Sequence, residues 1–186
     1  MNLNFANFPV LTTERLVLRQ LAHQDAAQIH QLRSDPAVNT YIGRVLSTGV
    51  EDAAAFIKKI NDSILRNESM YWAISLQEDP GLIGTICYWN FDAANEAIEI
   101  GYEMLPAFQG SGLMKEAIIR VIGYGFEEMK VKIITAFPSA DNDRSIALLI
   151  NTGFKADGKS YVNTHGNVEN MATYTLTRPA TAAMPD

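Results

Sequence analysis

The chain has one cysteine, Cys87, in 186 residues, so no internal disulfide can staple it. Cys87 lies in the apolar stretch Thr85-Ile86-Cys87-Tyr88-Trp89, where a free thiol packs as a small hydrophobe; a buried, inert thiol is expected rather than a nucleophile. No apolar run approaches the roughly 18 residues of a membrane span. Met1-Asn2-Leu3-Asn4-Phe5 lacks the basic region and long apolar run of a secretory leader, so a soluble, cytoplasmic protein without a membrane partner is expected. Basic residues are outnumbered, 15 Lys and Arg against 21 Asp and Glu, and a net charge of -6 argues against nucleic acid as a partner. The acidic balance suits a cationic small molecule or a peptide amine. His23, His30 and His165 are dispersed and only one cysteine is present, so no metal site is expected.

What is present is a folding composition. With 47% hydrophobic and 19% charged residues, the chain can bury one full core and does not require two. No internal repeat or low-complexity block divides it. One domain over residues 1–178 is expected, with the small, proline-flanked stretch 179–186 as a flexible tail.

Residues 14–20 alternate as a strand does, and 25–33 carry Ala26, Ile29 and Leu32 at helical spacing up to Asp35-Pro36. An irregular connector, 41–48, leads to a helix over 50–67 with Ala53, Phe56, Ile57, Ile60 and Ile64 on one face. Strands are predicted over 70–76, 82–91 and 96–104, with turns at Asp79-Pro80-Gly81 and Asp92-Ala93-Ala94-Asn95 that make them antiparallel neighbours. A helix over 112–128, a strand over 131–137 and a helix over 142–151 ending at Gly153 follow. Strands over 154–163 and 168–177, joined at His165-Gly166, close the chain. This order predicts an α/β (α+β) fold, a mixed and mostly antiparallel twisted sheet flanked by helices, not a doubly wound parallel one.

One turn carries a chemical signal. After Leu105-Pro106, the segment Phe108-Gln109-Gly110-Ser111-Gly112 opens an amphipathic helix. A helix start has unpaired backbone N–H groups and partial positive charge, and glycines let phosphate oxygens approach them closely. On this evidence the turn is either an anion site or an N-terminal loop with no ligand. A dinucleotide fingerprint fails because Lys115 stands where the third glycine belongs, and no Gly-Lys-Ser/Thr is present for a nucleotide P-loop. Lys115 could add attraction at the rim.

The wider pattern, Glu99-Ile100-Gly101-Tyr102 followed by Gln109-Gly110-Ser111-Gly112-Leu113-Met114-Lys115-Glu116-Ala117, resembles motif A of the GNAT N-acetyltransferases. It is most similar to the branch that includes the RimJ and RimL ribosomal-protein acetyltransferases. The family's Gln/Arg-x-x-Gly-x-Gly/Ala is matched by Gln109 and Gly112, with Met114 where a small residue is usual. Asn142-x-x-Ser145, Leu148, Leu149 and Gly153-Phe154 resemble the next helix of the family, and Thr13-Glu14-Arg15-Leu16-Val17-Leu18-Arg19 the start of this branch. The likeness runs from about residue 12 to 177.

The resemblance implies the GNAT fold and transfer of an acetyl group from acetyl-CoA to a primary amine. It places the pantetheine arm against the strand around Tyr102 and Met104, and the diphosphate on amides of Gln109, Gly110, Ser111, Gly112, Leu113 and Met114. Glu99 takes the position where the family often has a carboxylate that relays a proton, against the alternative of a solvated strand carboxylate; Glu103 is the second choice. Many members carry a Tyr seven residues after the helix Asn, where this chain has Leu149, which leaves Ser145 or a water as proton donor. Ser145 equally suits a contact to the cofactor arm, and Asn142 a helix cap, a cofactor contact, or both. Tyr41, Trp89, Glu103 and Tyr102 are candidate acceptor-pocket residues, with core packing the alternative for Trp89 and Tyr102. The acceptor is a protein N-terminal α-amine or a small molecule (polyamine, antibiotic or amino acid), a non-catalytic acyl-CoA sensor is the other reading, and a homodimer is the assembly common among similar proteins.

Overall fold

The structure, a computed structural model, describes residues 1–3, 5, 7–158 and 170–178. Among these, the strands are β1 Leu11–Thr12, β2 Leu16–Gln20, β3 Met70–Leu76, β4 Leu82–Asp92, β5 Ala97–Met104, β6 Ile133–Ala136, β7 Lys155–Ala156 and β8 Tyr174–Thr177. The helices are α1 Ala26–Ser34, α2 Pro36–Asn39, α3 Val50–Leu65, α4 Leu113–Glu127 and α5 Asp143–Asn151. One sheet runs β1-β2-β3-β4-β5-β6-β8-β7. Every neighbouring pair is antiparallel except β5 and β6, which are parallel and joined through α4. The mixed, mostly antiparallel sheet expected from the element order is present. The expected turn at His165-Gly166, most of the strand ends flanking it and the tail 179–186 lie outside the described residues.

Short side chains set the turns. Asp79 Oδ1 accepts from Gly81 N at 2.9 Å, and Asp92 Oδ1 accepts from Ala94 N and Asn95 N at 3.1 Å each. Asp35-Pro36 ends α1 as expected, but the chain then makes one further helical turn, α2. Asp35 Oδ1 accepts from Ala37 N at 2.8 Å and Val38 N at 3.0 Å, and Pro36 at the first helical position has its φ already set for a helix. Arg19 grips Asp25 through both Nη atoms, at 2.8 and 2.7 Å, and Ala22 N donates to the same carboxylate, fixing the entry from β2 into α1.

Strand alternation divides the core between two layers. On one face, Leu16, Leu18, Trp72, Ile74, Ile86, Tyr88, Ile98 and Ile100 are buried beneath α4, where Tyr88 Oη donates to Val121 O at 2.9 Å and Trp72 meets Tyr124 edge-on. On the other, α1 and α3 cover Tyr71, Thr85 and Cys87, with Phe56 edge-on to Tyr71. Cys87 is buried as expected, and burial pushes its thiol well above its ordinary value, with the charges of Glu103 and Glu99 adding to this.

The fit of α4 is tight at one glycine and loose at another. A Cβ on Gly125 would stand 2.9 Å from Tyr88 Oη and 3.4 Å from Ile134 Cδ1, whereas one on Gly123 would meet nothing within 4 Å. Replacing a helical glycine by alanine ordinarily stabilises by about 1 kcal/mol. Urea unfolding is therefore predicted to show Gly123→Ala more stable than the parent, and Gly125→Ala less stable because overpacking outweighs helix propensity. Equal gains from both would refute the packing argument.

Candidate active site

The ladder between β5 and β6 is short. It contains Ala97↔Ile133, Ile98↔Ile134 and Glu99↔Thr135, while β5 continues to Met104. After Ala136 the chain turns to other partners: Ala172 N donates to Pro138 O at 2.9 Å, Ala140 N donates to Asn170 O at 2.8 Å, and Ser139 bridges Met171. Among the described residues, 100–104 therefore have a strand neighbour on the β4 side alone, and a wedge opens between the two parallel strands.

Glu99 stands at the vertex, in the last pair before the strands part. It is 6% exposed, and Asn90 Nδ2 donates to its Oε2 at 2.6 Å. The β4–β5 register is unbroken from Glu99 to Met104, so Glu99, Gly101 and Glu103 share the face covered by α1 and α3. A Cβ on Gly101 would come within 2.8 Å of Trp89 Cη2, so the glycine lets the half-buried indole lie across the strand between the two carboxylates. Glu103 is already engaged: Arg44 Nη2 donates to Oε2 at 2.6 Å, and Thr85 Oγ1 and Tyr71 Oη reach Oε1 at 3.4 and 3.5 Å. Arg44 belongs to the connector after α2, which also carries the exposed Tyr41.

The opposite face holds a hydroxyl pair. Tyr102 Oη lies 2.8 Å from Ser145 Oγ, linking β5 to the first turn of α5. Burial pushes the Tyr102 phenol up to about 12, against the smaller opposing effect of the Ser145 bond, so it is protonated at neutral pH. Asn142 caps α5, accepting from Ser145 N at 3.1 Å, as expected of it. Leu149, at the position where the resemblance led us to look for a tyrosine, is fully buried core.

The glycine-rich turn precedes α4 on this same face. Gly110 and Gly112 have φ of +79° and +80°, left-handed values that glycine takes without strain. Gln109 Nε2 ties the turn to Met104 O at 2.8 Å, and Ser111 Oγ donates to Phe108 O at 2.8 Å. Among the described residues, the backbone N–H groups of residues 110–115 meet no protein acceptor; the next, Glu116 N, donates to Gly112 O at 3.1 Å. A Cβ on Gly110 would meet nothing within 4 Å, whereas one on Gly112 would lie 3.6 Å from Arg15 Nη2, so the turn is open at Gly110 and has a guanidinium beside Gly112; free amides at a helix start fit a diphosphate. The Met114 side chain turns into the core, so its size does not obstruct the turn.

Thus Tyr102, Ser145 and Asn142 come together on one face of β5, Glu99 stands on the other at the end of the β5–β6 ladder, and residues 109–114 form the turn before α4. Asn90, Arg44 and Arg15, whose Nη1 donates to Ser111 O at 3.0 Å, were not singled out from sequence. Arg15 lies in the recognised opening motif, but no spacing signals a contact with residue 111.

A family model described as an acetyltransferase (GNAT) domain matches residues 15–155. The uncharacterized N-acetyltransferase YoaA of Bacillus subtilis (strain 168) is 31% identical over 174 residues, covering 92% of this chain and 98% of that protein. The ribosomal protein uS5-alanine N-acetyltransferase of Escherichia coli (strain K12) is 25% identical over 179 residues, 91% of each chain. Among solved structures, a GNAT-family acetyltransferase from Bacillus anthracis superposes with a TM-score of 0.77 at 25% identity, covering 91% of this chain and 98% of that one. The wedge, the turn and these relatives agree with the motifs: the chain belongs to the GNAT acetyltransferase superfamily, is closely related to its RimJ/RimL-type members, and is an acetyl-CoA-dependent acyltransferase.

Proposed function

We propose that the chain acetylates a protein N-terminal α-amine, with the acceptor on the α1/α3 face of the sheet and the acyl donor on the α4/α5 face. The observation that carries this reading is the placement of Glu99 and the Tyr102–Ser145 pair on opposite faces of one strand, at the wedge where β5 and β6 part. Acetyl-CoA supplies the activated acetyl thioester. The open amides of Gly110, Ser111, Gly112, Leu113 and Met114 are the donors for its diphosphate, with Gln109 holding the turn to Met104, and the edge of residues 100–103, which has no strand beside it among the described residues, offers backbone groups to the pantetheine arm.

An α-amine has a pKa of about 8 and must lose a proton before it can attack. Glu99, oriented by Asn90, is placed to take that proton, directly or through a water. The leaving thiolate needs a proton in return. Ser145 can donate it from the other face, with the Tyr102 phenol behind the serine in place of the tyrosine that Leu149 replaces.

A peptide amine fits better than a polyamine. A polyamine needs a second anionic contact, and Glu103 is already neutralised by Arg44 and ringed by hydroxyls. The connector also exposes Tyr41, Val45 and Leu46, apolar groups suited to the residues that follow a peptide N-terminus, and Trp89 walls the floor. The uS5-alanine relative acts on a substrate of this class.

Two outcomes are expected. Glu99→Gln lowers kcat/KM on a peptide about a hundredfold or more near neutral pH, with the deficit narrowing above about pH 8, where the amine is already neutral; a parallel pH profile in parent and variant would remove Glu99 as the base. Gly110→Glu places a carboxylate before the open amides and is expected to abolish the thermal stabilisation by acetyl-CoA. Retention of that shift would place the diphosphate elsewhere.

A further inference from the structure

The opening motif Thr13-Glu14-Arg15 has a structural partner that its sequence does not disclose. Thr13 and Arg15, between β1 and β2, converge on Glu116 in the first turn of α4. Glu116 Oε1 accepts from Thr13 Oγ1 at 2.5 Å and from Arg15 N at 2.9 Å; its Oε2 accepts from Arg15 Nε at 2.7 Å and Nη2 at 2.6 Å. Burial works against the charge on Glu116, but the bonds from Thr13 and Arg15 outweigh it and hold the carboxyl below its ordinary value. The ion pair therefore persists throughout the neutral range.

With Nε and Nη2 occupied, the guanidinium plane is set, and Nη1 reaches Ser111 O at 3.0 Å. That carbonyl belongs to the peptide joining Ser111 to Gly112, at the centre of the turn. No cis peptide bond occurs among the described residues, and in a trans peptide the C=O and N–H point in opposite directions. Drawing the Ser111 carbonyl toward Arg15 therefore turns the Gly112 N–H to the other side, away from the cation. A glycine on each side of Ser111, both at positive φ, leaves this peptide free to flip unless something holds it.

We propose that Arg15 is a positioning residue for the acyl donor: anchored by Glu116, it holds the Ser111 carbonyl and so presents the Gly112 N–H to the diphosphate. The proposal rests on the donor site described above. It differs from a direct phosphate contact, because the positive charge of Arg15 is matched by Glu116. It also differs from a staple that only stabilises the fold, because Nη1, the guanidinium nitrogen that Glu116 leaves free, bonds to the Ser111 carbonyl of the turn.

The test is titration calorimetry with acetyl-CoA, alongside initial rates and melting curves, on Arg15→Gln, Arg15→Lys, Glu116→Gln and the double variant Arg15→Gln/Glu116→Gln. Arg15→Gln is expected to raise Kd and the KM for acetyl-CoA about tenfold, the equivalent of one hydrogen bond to a charged group, while kcat at saturating donor and the melting temperature change far less. Arg15→Lys, which cannot hold Glu116 and Ser111 O together, should show most of the same loss and serves if the glutamine variant folds poorly. Glu116→Gln should also weaken binding by releasing Arg15, and the double variant should be no worse than Arg15→Gln alone. Tighter binding in Glu116→Gln would mean that Arg15 contacts phosphate directly, and parent-like Kd in both Arg15 variants would mean that the clamp is structural; either overturns the proposal. Gly110→Glu is the reference: if it binds normally, the donor-site reading fails, whereas its loss of binding beside a normal Arg15→Gln leaves that reading standing and removes only the role of Arg15.

Discussion

Residues 138–140 bond to residues 170–172 and not to β5, and this choice of partners opens the sheet between its two parallel strands. The other features of the site depend on that opening. Were β6 to continue beside β5, the backbone groups of residues 100–104 would be used in the ladder and Glu99 would sit beneath a closed surface. Instead the ladder stops at Glu99↔Thr135, and the last paired residue carries a carboxylate on one face while the tyrosine three positions on carries a phenol on the other. Period-two alternation then makes a two-sided site from one strand.

Charge is handled differently at the two carboxylates of β5. Glu103 is bound by Arg44, Thr85 and Tyr71, a buried ion pair whose attraction is offset by desolvation and whose partners satisfy its remaining lone pairs. That arrangement ties the connector after α2 down onto the sheet. Glu99 accepts from a neutral amide, Asn90 Nδ2, at 2.6 Å.

Much of the fold is legible in the pattern of residues. The strand over 70–76 is observed with those bounds as Met70–Leu76, and α3 and α4 differ from their periodicity only at the ends. Long, strongly periodic segments declare themselves because burial imposes the period. The two-residue strand β1 and the single turn of α2 do not, since neither is long enough to show one. The turn of residues 109–114 and the cap at Asn142 were also legible, because glycine freedom and Asx capping are local properties. The missing tyrosine at 149 was visible as an absence, and Ser145 or a water was expected in its place, but the bond between Ser145 and Tyr102 was not legible: the two are 43 residues apart and meet only because α5 folds back over β5.

The sequence by itself determined the order of elements, the glycine turn able to present open amides, and the motifs that mark a GNAT acetyltransferase, since each rests on residues near one another along the chain. Only the tertiary structure decided which cation holds Glu103, which hydroxyl stands behind Ser145, and which side chain holds the turn. Those are contacts between Arg44 and Glu103, Tyr102 and Ser145, and Arg15 and Ser111, separated by 59, 43 and 96 positions. No local propensity encodes such pairings. They follow from packing helices on both faces of a twisted sheet, which brings distant charged and polar groups within hydrogen-bond reach where burial requires each of them to find a partner.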